Sequence, residues 1–488
     1  MSVCTSNLTS GFIDLATYDE QEKYLYGGPD SVAYFVREIR KSTWFTQVPV
    51  VLSRSSGQPG FGQQFSVSIS RAGDYLLHTW LRLTLNKITA IASNDRAIIS
   101  GSTSSVLRWS RNFMHNLIIE CNISFNDLVA ARFDNYHLDF WAAFTVPEGK
   151  RLGYSSMIGN TDDLINPVAS AGFPYSLQPS LPQKTLNLPL PFFYTRDTGL
   201  ALPTAALPYN EMRINFAFQN WDKLLIKDTF TATSATTGTW TSAPAVQSDF
   251  SPTDSSSLMK DVQVWANYAI VSNEERKKMA CAPRDILIEQ VQTAPIQSLY
   301  SMNGSTSPVF DIRFSHAIKA LFWSARNKID AAAWSNYTTD PQIPLGPTTN
   351  ILITPTTSLF GVVDFSKGAD PISTTTLVYE NTQRLYQMGS DYFSLVNPWY
   401  GAPVIPLDTG YHVYSYSLDF FCIDPMGSTN YGKLTNVSIG PAVSTEASTA
   451  VNSLVGTATY STKFDFIVTA LNNNVIRISG GALGFPVL

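Results

Sequence analysis

A chain of 488 residues is too long for one ordinary core and suits two or three domains. Hydrophobic residues at 44% and aromatics at 12% predict a globular protein, whereas charged residues at 15% fall well under the roughly 25% usual for soluble domains, as on a surface given over to protein contacts. The net charge of -5, without a long basic run, argues against bulk nucleic-acid binding, and the short clusters REIRK and EERKK read as solvated faces.

The first twenty residues carry no basic n-region and no long apolar core, and no later apolar run approaches about 18 residues, so neither a standard secretion signal nor a membrane span is expected. Strand signals begin with WFTQVPVVL from Trp44, continue in FSVSIS, where Phe65, Val67 and Ile69 alternate with serines, and in YLLHTWLRLTL from Tyr75. After a polar loop, NLIIECNISF supplies another strand. NDLVAARFDNYHLDFWAAF then reads as a helix capped by Asn126, with Phe133, Tyr136, Phe140, Trp141 and Phe144 on one stripe. Leu186, Leu188 and Leu190 form a strand that Pro189 and Pro191 mark as an edge or a bulge. The connector GLALPTAALP has room for about one helical turn before Met212, Ile214, Phe216 and Phe218 resume alternation. Strand, bent connector and strand make a sandwich corner, and nothing in it looks chemical. The half closes on DVQVWANYAIV, with Val262, Val264, Ala266, Tyr268 and Ile270 on one side.

A short helix, SNEERKKMACAP, links the halves, with Ser272 and Glu275 as a capping box and Pro283 as its stop. The order then restarts. RDILIEQVQ, VFDIRF (Phe310, Ile312 and Phe314 on one face) and IKALFWSA repeat the first three strands; TTLVYENTQRLYQM matches NLIIECNISF; YSYSLDFF, with Tyr414, Tyr416, Leu418 and Phe420 alternating, runs through a second corner, IDPMGSTNYG, to KLTNVSIG; FDFIVTALNNNVIRISG ends the chain. Two sandwiches of about eight strands follow, and the inserted helices and Pro-rich corners favour jelly rolls over immunoglobulin-like sandwiches. The long polar segments Asp228–Ser257 and Asn327–Pro371 read either as surface decoration with partial disorder or as exposed loops presented to partners.

No phosphate-loop, dinucleotide, esterase-elbow or HExxH motif occurs. SGQPGFGQQ and SGGALGF read as turns. The histidines His78, His115, His137, His316 and His412 never pair at metal-ligand spacing and are expected to be packed or at the surface; Asp162 and Asp163 are expected to cap the turn that follows them. Cys4, Cys121, Cys281 and Cys422 are widely spaced and read as reduced thiols; the sequons at Asn7, Asn122, Asn303, Asn336 and Asn436 read as chance matches. No catalytic, cofactor-binding or metal-binding residue is assigned, and no cofactor is expected. A carbohydrate-binding protein, using its ten Trp and 22 Tyr, and a metal-dependent cupin are the rival readings.

GFIDLAT, EKYLYGG, YFVRE, FSVSISRAGDYLL, GLALPTAALPYNEMRINF, NEERKKMACAPRDILIEQVQTAP and NNNVIRISGGALGF stand in the order found in one family. Through them the chain resembles the double jelly-roll major capsid protein of large icosahedral double-stranded DNA viruses, the nucleocytoplasmic large DNA viruses, most nearly its iridovirus and marseillevirus branch. The resemblance implies a mainly β protein of two consecutive eight-stranded antiparallel jelly rolls: an N-terminal arm over 1–43, a first jelly roll over 44–271, a linker helix over 272–283 and a second jelly roll over 284–488. It further implies a structural protein rather than an enzyme, assembled in the host cytoplasm into the virion capsid. Its expected partners are itself, as a homotrimeric pseudo-hexagonal capsomer beside neighbouring capsomers, minor capsid and penton proteins, and an apposed internal viral membrane, with no direct nucleic-acid contact.

Overall fold

The computed structural model describes residues 3–91, 103–167, 180–232, 238–252, 255–299, 308–328, 333–344, 362–452 and 464–485. Residues 1–44 are a unit of their own, holding helices α1 (Val3–Ala16) and α2 (Glu20–Leu25). Glu22 Oε2 accepts the Asp19 N–H at 3.2 Å and satisfies one of the free donors at the start of α2.

From Phe45 onward the chain is a second unit. Its first half contains β1 (Phe45–Val51), β2 (Ser53–Gly57), β3 (Gln64–Ser68), β4 (Tyr75–Leu85), β5 (Thr89–Ala90), β6 (Thr103–Trp109), β7 (Ile118–Phe125), β8 (Leu128–Asp134), β9 (Lys184–Pro189), β10 (Leu202–Pro203), β11 (Met212–Phe218), β12 (Leu225–Ala232), β13 (Gly238–Pro244), β14 (Phe250–Ser251) and β15 (Met259–Val271). Helices α3 (Phe113–Leu117), α4 (Asn135–Thr145), α5 (Glu148–Ile158) and α6 (Asp162–Ile165) lie between β6 and β9, and α7 (Asn273–Cys281) follows β15. The second half contains β16 (Arg284–Thr293), β17 (Gln297–Leu299), β18 (Phe310–Asp311), β19 (Ala317–Asn327), β20 (Ile372–Tyr379), β21 (Thr382–Gly389), helix α8 (Asn397–Gly401), β22 (His412–Ser415), β23 (Thr429–Asn430), β24 (Val437–Val443), β25 (Phe464–Ser479) and β26 (Ala482–Gly484).

The sheet order repeats between the halves. In the first, β1-β15-β4-β9 faces β3-β11-β7-β8; in the second, β16-β25-β19-β22 faces β18-β24-β20-β21, and all these ladders are antiparallel. The match extends to irregularities. Leu77 in β4 and Lys319 in β19 are each the extra residue of a bulge, and β10 and β23 each pair with the beginning of that same strand. The β7–β8 hairpin turns on Asn126 and Asp127 (φ 48° and 69°), and the β20–β21 hairpin on Glu380 and Asn381 (φ 46° and 63°). These are two-residue turns with both central residues left-handed, whose twist suits a hairpin. The fold is a double jelly roll.

Inside, each sandwich buries the alternating faces of its sheets. Leu81, Leu83, Ile214 and Phe216 belong to the first core; Leu321, Trp323, Phe466 and Val468 belong to the second. The first core continues into the second half, because Ile286, Ile288, Ile476, Ile478 and Leu483 pack into it. The bent connector before β11 is held by Arg71, whose guanidinium donates to the carbonyls of Leu207 (3.0 Å), Pro208 (3.1 Å) and Asn210 (2.6 Å). Carbonyls of the connector that a helix or sheet would have satisfied are thus paired with one cation, and the corner is structural.

Several local expectations are corrected. The stretch from Asn126 is not one helix. Asn126 and Asp127 form the hairpin turn, Leu128–Asp134 is strand β8 with Phe133 in the first core, and only from Asn135 does the chain become α4, whose cap is Asp134 accepting the His137 N–H at 2.8 Å. Ser272 opens α7 without a side-chain cap bond, so the capping box with Glu275 does not form; Arg276 instead pairs with Asp74 at 2.7 Å. Ile270 is exposed, since β15 loses strict alternation where Tyr268 and Ala269 are both buried beside the bulge. Leu418 is exposed because the chain leaves the ladder after Ser415, whereas Phe310, Ile312 and Phe314 share a buried face although only Phe310–Asp311 is strand. Within the region read as a polar loop lies β6, and much of Asp228–Ser257 is built structure, with β12 paired to both β6 and β13.

Candidate functional site

Helix α4 is the element that joins the halves. Its spacing places Tyr136, Phe140 and Phe144 on one stripe, and that stripe lies against Ala320 and Phe322 of β19, Val413 of β22, and Ile467 and Leu471 of β25. These five residues are the outward side of the second sandwich's first sheet, so a face that would have met solvent is covered by a helix from the first sandwich. Phe140 is fully buried, with its ring 6.3 Å from Phe322, 5.8 Å from Tyr337 and 6.1 Å from Tyr411.

Beside this apolar contact, α4 carries Asp139 into a buried polar cluster. One carboxylate oxygen accepts from Asn112 Nδ2 (3.1 Å) and faces His115 Nδ1 (2.7 Å); the other accepts from Ser335 Oγ (2.6 Å) and Tyr337 OH (3.0 Å). Ser335 and Tyr337 come from the second half. A buried carboxylate is tolerable because each oxygen has two partners, and those partners tie the halves together. The second ring nitrogen of His115 lies 2.7 Å from Tyr154 OH, whose hydroxyl is pushed up in pKa by burial and by the Asp139 charge. Both nitrogens are engaged with structural partners.

A third contact is ionic. Glu289 is bound by Arg196 from the first half and by Lys319 Nζ at 2.7 Å, and Lys319 also donates to the Cys422 carbonyl. The Arg196 guanidinium packs against two rings, 4.5 Å from the centroid of Trp141 and 4.7 Å from that of Phe421. Burial draws it below its ordinary pKa while Glu289 and Asp419 oppose the shift. Further ties are Gln290 Nε2 to the Ala130 carbonyl (2.7 Å), the reciprocal pair between Asn166 and the Val363 backbone (2.8 and 3.0 Å), and buried Arg108, which binds Asp228 at 2.6 Å and the Gln342 carbonyl at 3.2 Å. The described parts of Asn327–Pro371 therefore belong largely to the seam: Ser335, Asn336, Tyr337 and Thr338 are buried there.

Among the described residues no helix lies across the corresponding outward face of the first sandwich, which α4 and α5 only border at the groove beside Trp80. Cross-strand pairing sets Val51, Trp265, Trp80 and Pro189 in one row, with the two indoles stacked at 6.0 Å and 12°. A groove of about 900 Å³ runs beside Trp80, lined by His78, Pro189, Trp141, Met157 and Phe421 among others.

The histidines singled out from the sequence are not brought together. His78 is exposed on β4, His115 is in the Asp139 cluster, His137 is buried in α4 with its pKa pulled to about 3 by burial, and His412 Nε2 lies 2.8 Å from Asp370. Among the described residues no three His, Cys, Asp or Glu side chains converge as a metal would need. Asp163 binds Lys184 Nζ at 2.8 Å at the start of α6. Of the sequons, Asn336 is buried, Asn122 lies in β7 bonded to Asn215, and Asn303 falls outside the described residues.

A family model described as "Large eukaryotic DNA virus major capsid protein" matches residues 275–484, and one described as "Major capsid protein N-terminus" matches residues 33–271. The chain is 59% identical to the major capsid protein of Costelytra zealandica iridescent virus over 491 aligned residues, 56% identical to that of Invertebrate iridescent virus 6, and 42% identical to that of Rana tigrina ranavirus, each comparison covering all of both chains. The chain belongs to the major capsid protein family of large eukaryotic DNA viruses. Members of this family are structural components of the capsid, so the sites that matter are contact surfaces. Among solved structures, the capsid of the virus PBCV-1 aligns over 93% of this chain and all of its own with a TM-score of 0.68 at 19% identity; the Faustovirus major capsid protein aligns over 95% of each chain with a TM-score of 0.67 at 13% identity. At such identities the likeness concerns the fold, the same double jelly roll.

Proposed function

We propose that this capsid protein acts as a homotrimer whose six sandwiches form a pseudo-hexagonal capsomer, and that such capsomers tile an icosahedral shell. The observation that carries the reading is the repeat: two sandwiches of one strand order, welded by a seam, so that three copies present six similar lobes. Head-to-tail contacts between such subunits close into a ring when the rotation allows. In this reading residues 1–43 are an interaction arm, 44–271 and 284–488 are the two jelly rolls and 272–283 is their linker. Minor capsid and penton proteins and an internal viral membrane are the other partners, assembly takes place in the host cytoplasm, and no catalytic step is involved.

The test is the mass and outline of purified protein by light scattering and negative-stain electron microscopy. A species at three times the 53.8 kDa chain mass with a hexagonal outline is expected; a stable single-chain species at capsid-like concentration would overturn the proposal. Deleting Met1–Tyr26 should leave the trimer intact and impair lattice assembly, and loss of the trimer would refute the role given to the arm.

A further inference from the structure

The repeat of strand order also relates the surfaces outside the cores. Paired through their shared bulge, Trp80 of β4 corresponds to Phe322 of β19 and His78 to Ala320; through the ladders, Pro189 corresponds to Val413, Trp265 to Thr469 and Val51 to Thr293. The row Val51–Trp265–Trp80–Pro189 is thus the counterpart of Thr293–Thr469–Phe322–Val413, the row under helix α4. Helix α4 follows β8 and precedes β9. The segment in the same place in the second half, between β21 and β22, is a wide turn at Tyr392–Val396 continued by α8. It presents Leu395, Val396, Trp399 and Tyr400 outward, Trp399 being 71% and Tyr400 79% exposed. No charged residue occurs between Asp391 and Asp408.

Among the described residues, a helical segment with an apolar ridge therefore has no sheet to cover, and an equivalent sheet face with stacked tryptophans and a groove has no helix laid across it. The edges show the same imbalance. β8 is covered by β16, with Gln290 on the Ala130 carbonyl, whereas their counterparts β21 and β1 are largely exposed and Phe45, Val48, Val51 and Tyr386 face outward.

We propose that the ridge Leu395–Tyr400 of one copy docks on the Trp80–Trp265 face of the first sandwich of a second copy, repeating between chains the contact that α4 makes within the chain. The occupant is a second copy because the seam already displays this contact between equivalent parts. A surface pair that is different on its two sides yields a heterologous contact, and a chain that contributes one such step internally and one externally closes after three copies when each step turns by about one sixth of a full rotation. Uncharged, aromatic-rich surface is what the centre of a protein interface requires. The inference rests on the trimer reading and specifies its interface.

The experiment uses full-length protein. One variant carries Trp399→Ser with Tyr400→Ser, a second carries Trp80→Ser with Trp265→Ser, and a third carries Trp80→Cys with Trp399→Cys. Both serine variants are expected to fall from three times the chain mass to one at the concentration at which the parent is trimeric, with unchanged circular dichroism. With Cys4, Cys281 and Cys422 replaced by Ser in every cross-linking variant, because Cys281 is exposed and Cys422 half-buried, a short bismaleimide should link the Trp80→Cys/Trp399→Cys protein into two- and three-chain species, and should not do so with either substitution alone. Trp399 and Tyr400 are exposed, so the ridge variant stays informative if the sheet variant fails to fold. Trimers that persist in the ridge variant, together with no cross-linked chains, would overturn this interface and leave the trimer reading standing. A parent protein that is itself monomeric would overturn both.

Discussion

Replacing Phe140 by Ala tests whether the two sandwiches unfold as one body. The side chain is wholly buried against Phe322, Tyr337 and Tyr411 from the second half, although it belongs to a helix of the first. Truncating a buried Phe costs about 3–5 kcal/mol through lost transfer and the cavity left behind. The three surrounding rings are themselves packed, which limits collapse and favours about 4 kcal/mol. The unit from Phe45 to Leu488 spans 444 residues. At ~2.1 cal/mol/K per residue its unfolding entropy is on the order of 0.9 kcal/mol/K, so the midpoint should fall by about 4 °C. Scanning calorimetry with parallel tryptophan fluorescence would measure it. Because the first core includes Ile286, Ile288, Ile476 and Ile478, one cooperative transition is expected in both proteins, displaced in the variant. A shift under about 1 °C, or a parent that already melts in two separated steps, would refute the claim that the seam couples the halves.

Asp139→Asn should destabilise by about 2–4 kcal/mol, because one of the two oxygens holding Asn112, His115, Ser335 and Tyr337 becomes a donor facing donors; urea unfolding of the two proteins measures it. His137 predicts a pH dependence. Its folded pKa of about 3 lies below the ordinary 6.5, so the unfolded chain takes up a proton below pH 6.5 that the folded one refuses; stability is full above that pH and falls toward pH 4 by at most ~1.4 kcal/mol per unit from this group. His137→Gln should flatten that part of the profile in denaturation series at fixed pH. Gly410→Ala should cost more than about 2 kcal/mol, since Gly410 has φ 95° and an added Cβ would stand 2.0 Å from the Tyr337 carbonyl oxygen; a variant melting like its parent would contradict the packing described.

Alternation carried the sequence reading wherever one face of a strand is buried. Tyr75–Leu85 and Arg284–Thr293 are strands where read, and the repeat of element order is present in the ladders. The errors have local causes. Asn126 can cap a helix or make a left-handed turn, and only the pairing of Leu128–Asp134 with β7 decides between them. β6 is short and rich in Ser and Thr, and its Arg108 looks like a surface residue until Asp228, 120 positions later, is placed against it. The seam was illegible for the same reason. Arg196 and Glu289 are 93 positions apart and Asp139 and Tyr337 are 198 apart, so no periodicity relates them. The available signal was the charge itself: Asp139 within an aromatic helix and Lys319 within an apolar strand each call for a partner.

The two outward sheet faces show how one fold serves two histories of burial. At corresponding positions the covered face of the second sandwich has Ala320, Ile467 and Leu471, while the open face of the first has His78, Gln263 and Asn267. A face closed by its own chain during folding never meets water in the native state and can be wholly apolar. A face that stays open in a single chain must remain wetted, and polar side chains around two stacked tryptophans keep its apolar area small while retaining a centre for contact. The same logic accounts for the ions. Asp139, Glu289 and Lys319 lie in the seam, where their partners are fixed by the chain and desolvation occurs once, on folding. The Leu395–Tyr400 ridge carries no charge, as suits a surface whose partner must be reached by diffusion and whose burial would otherwise cost desolvation at every association.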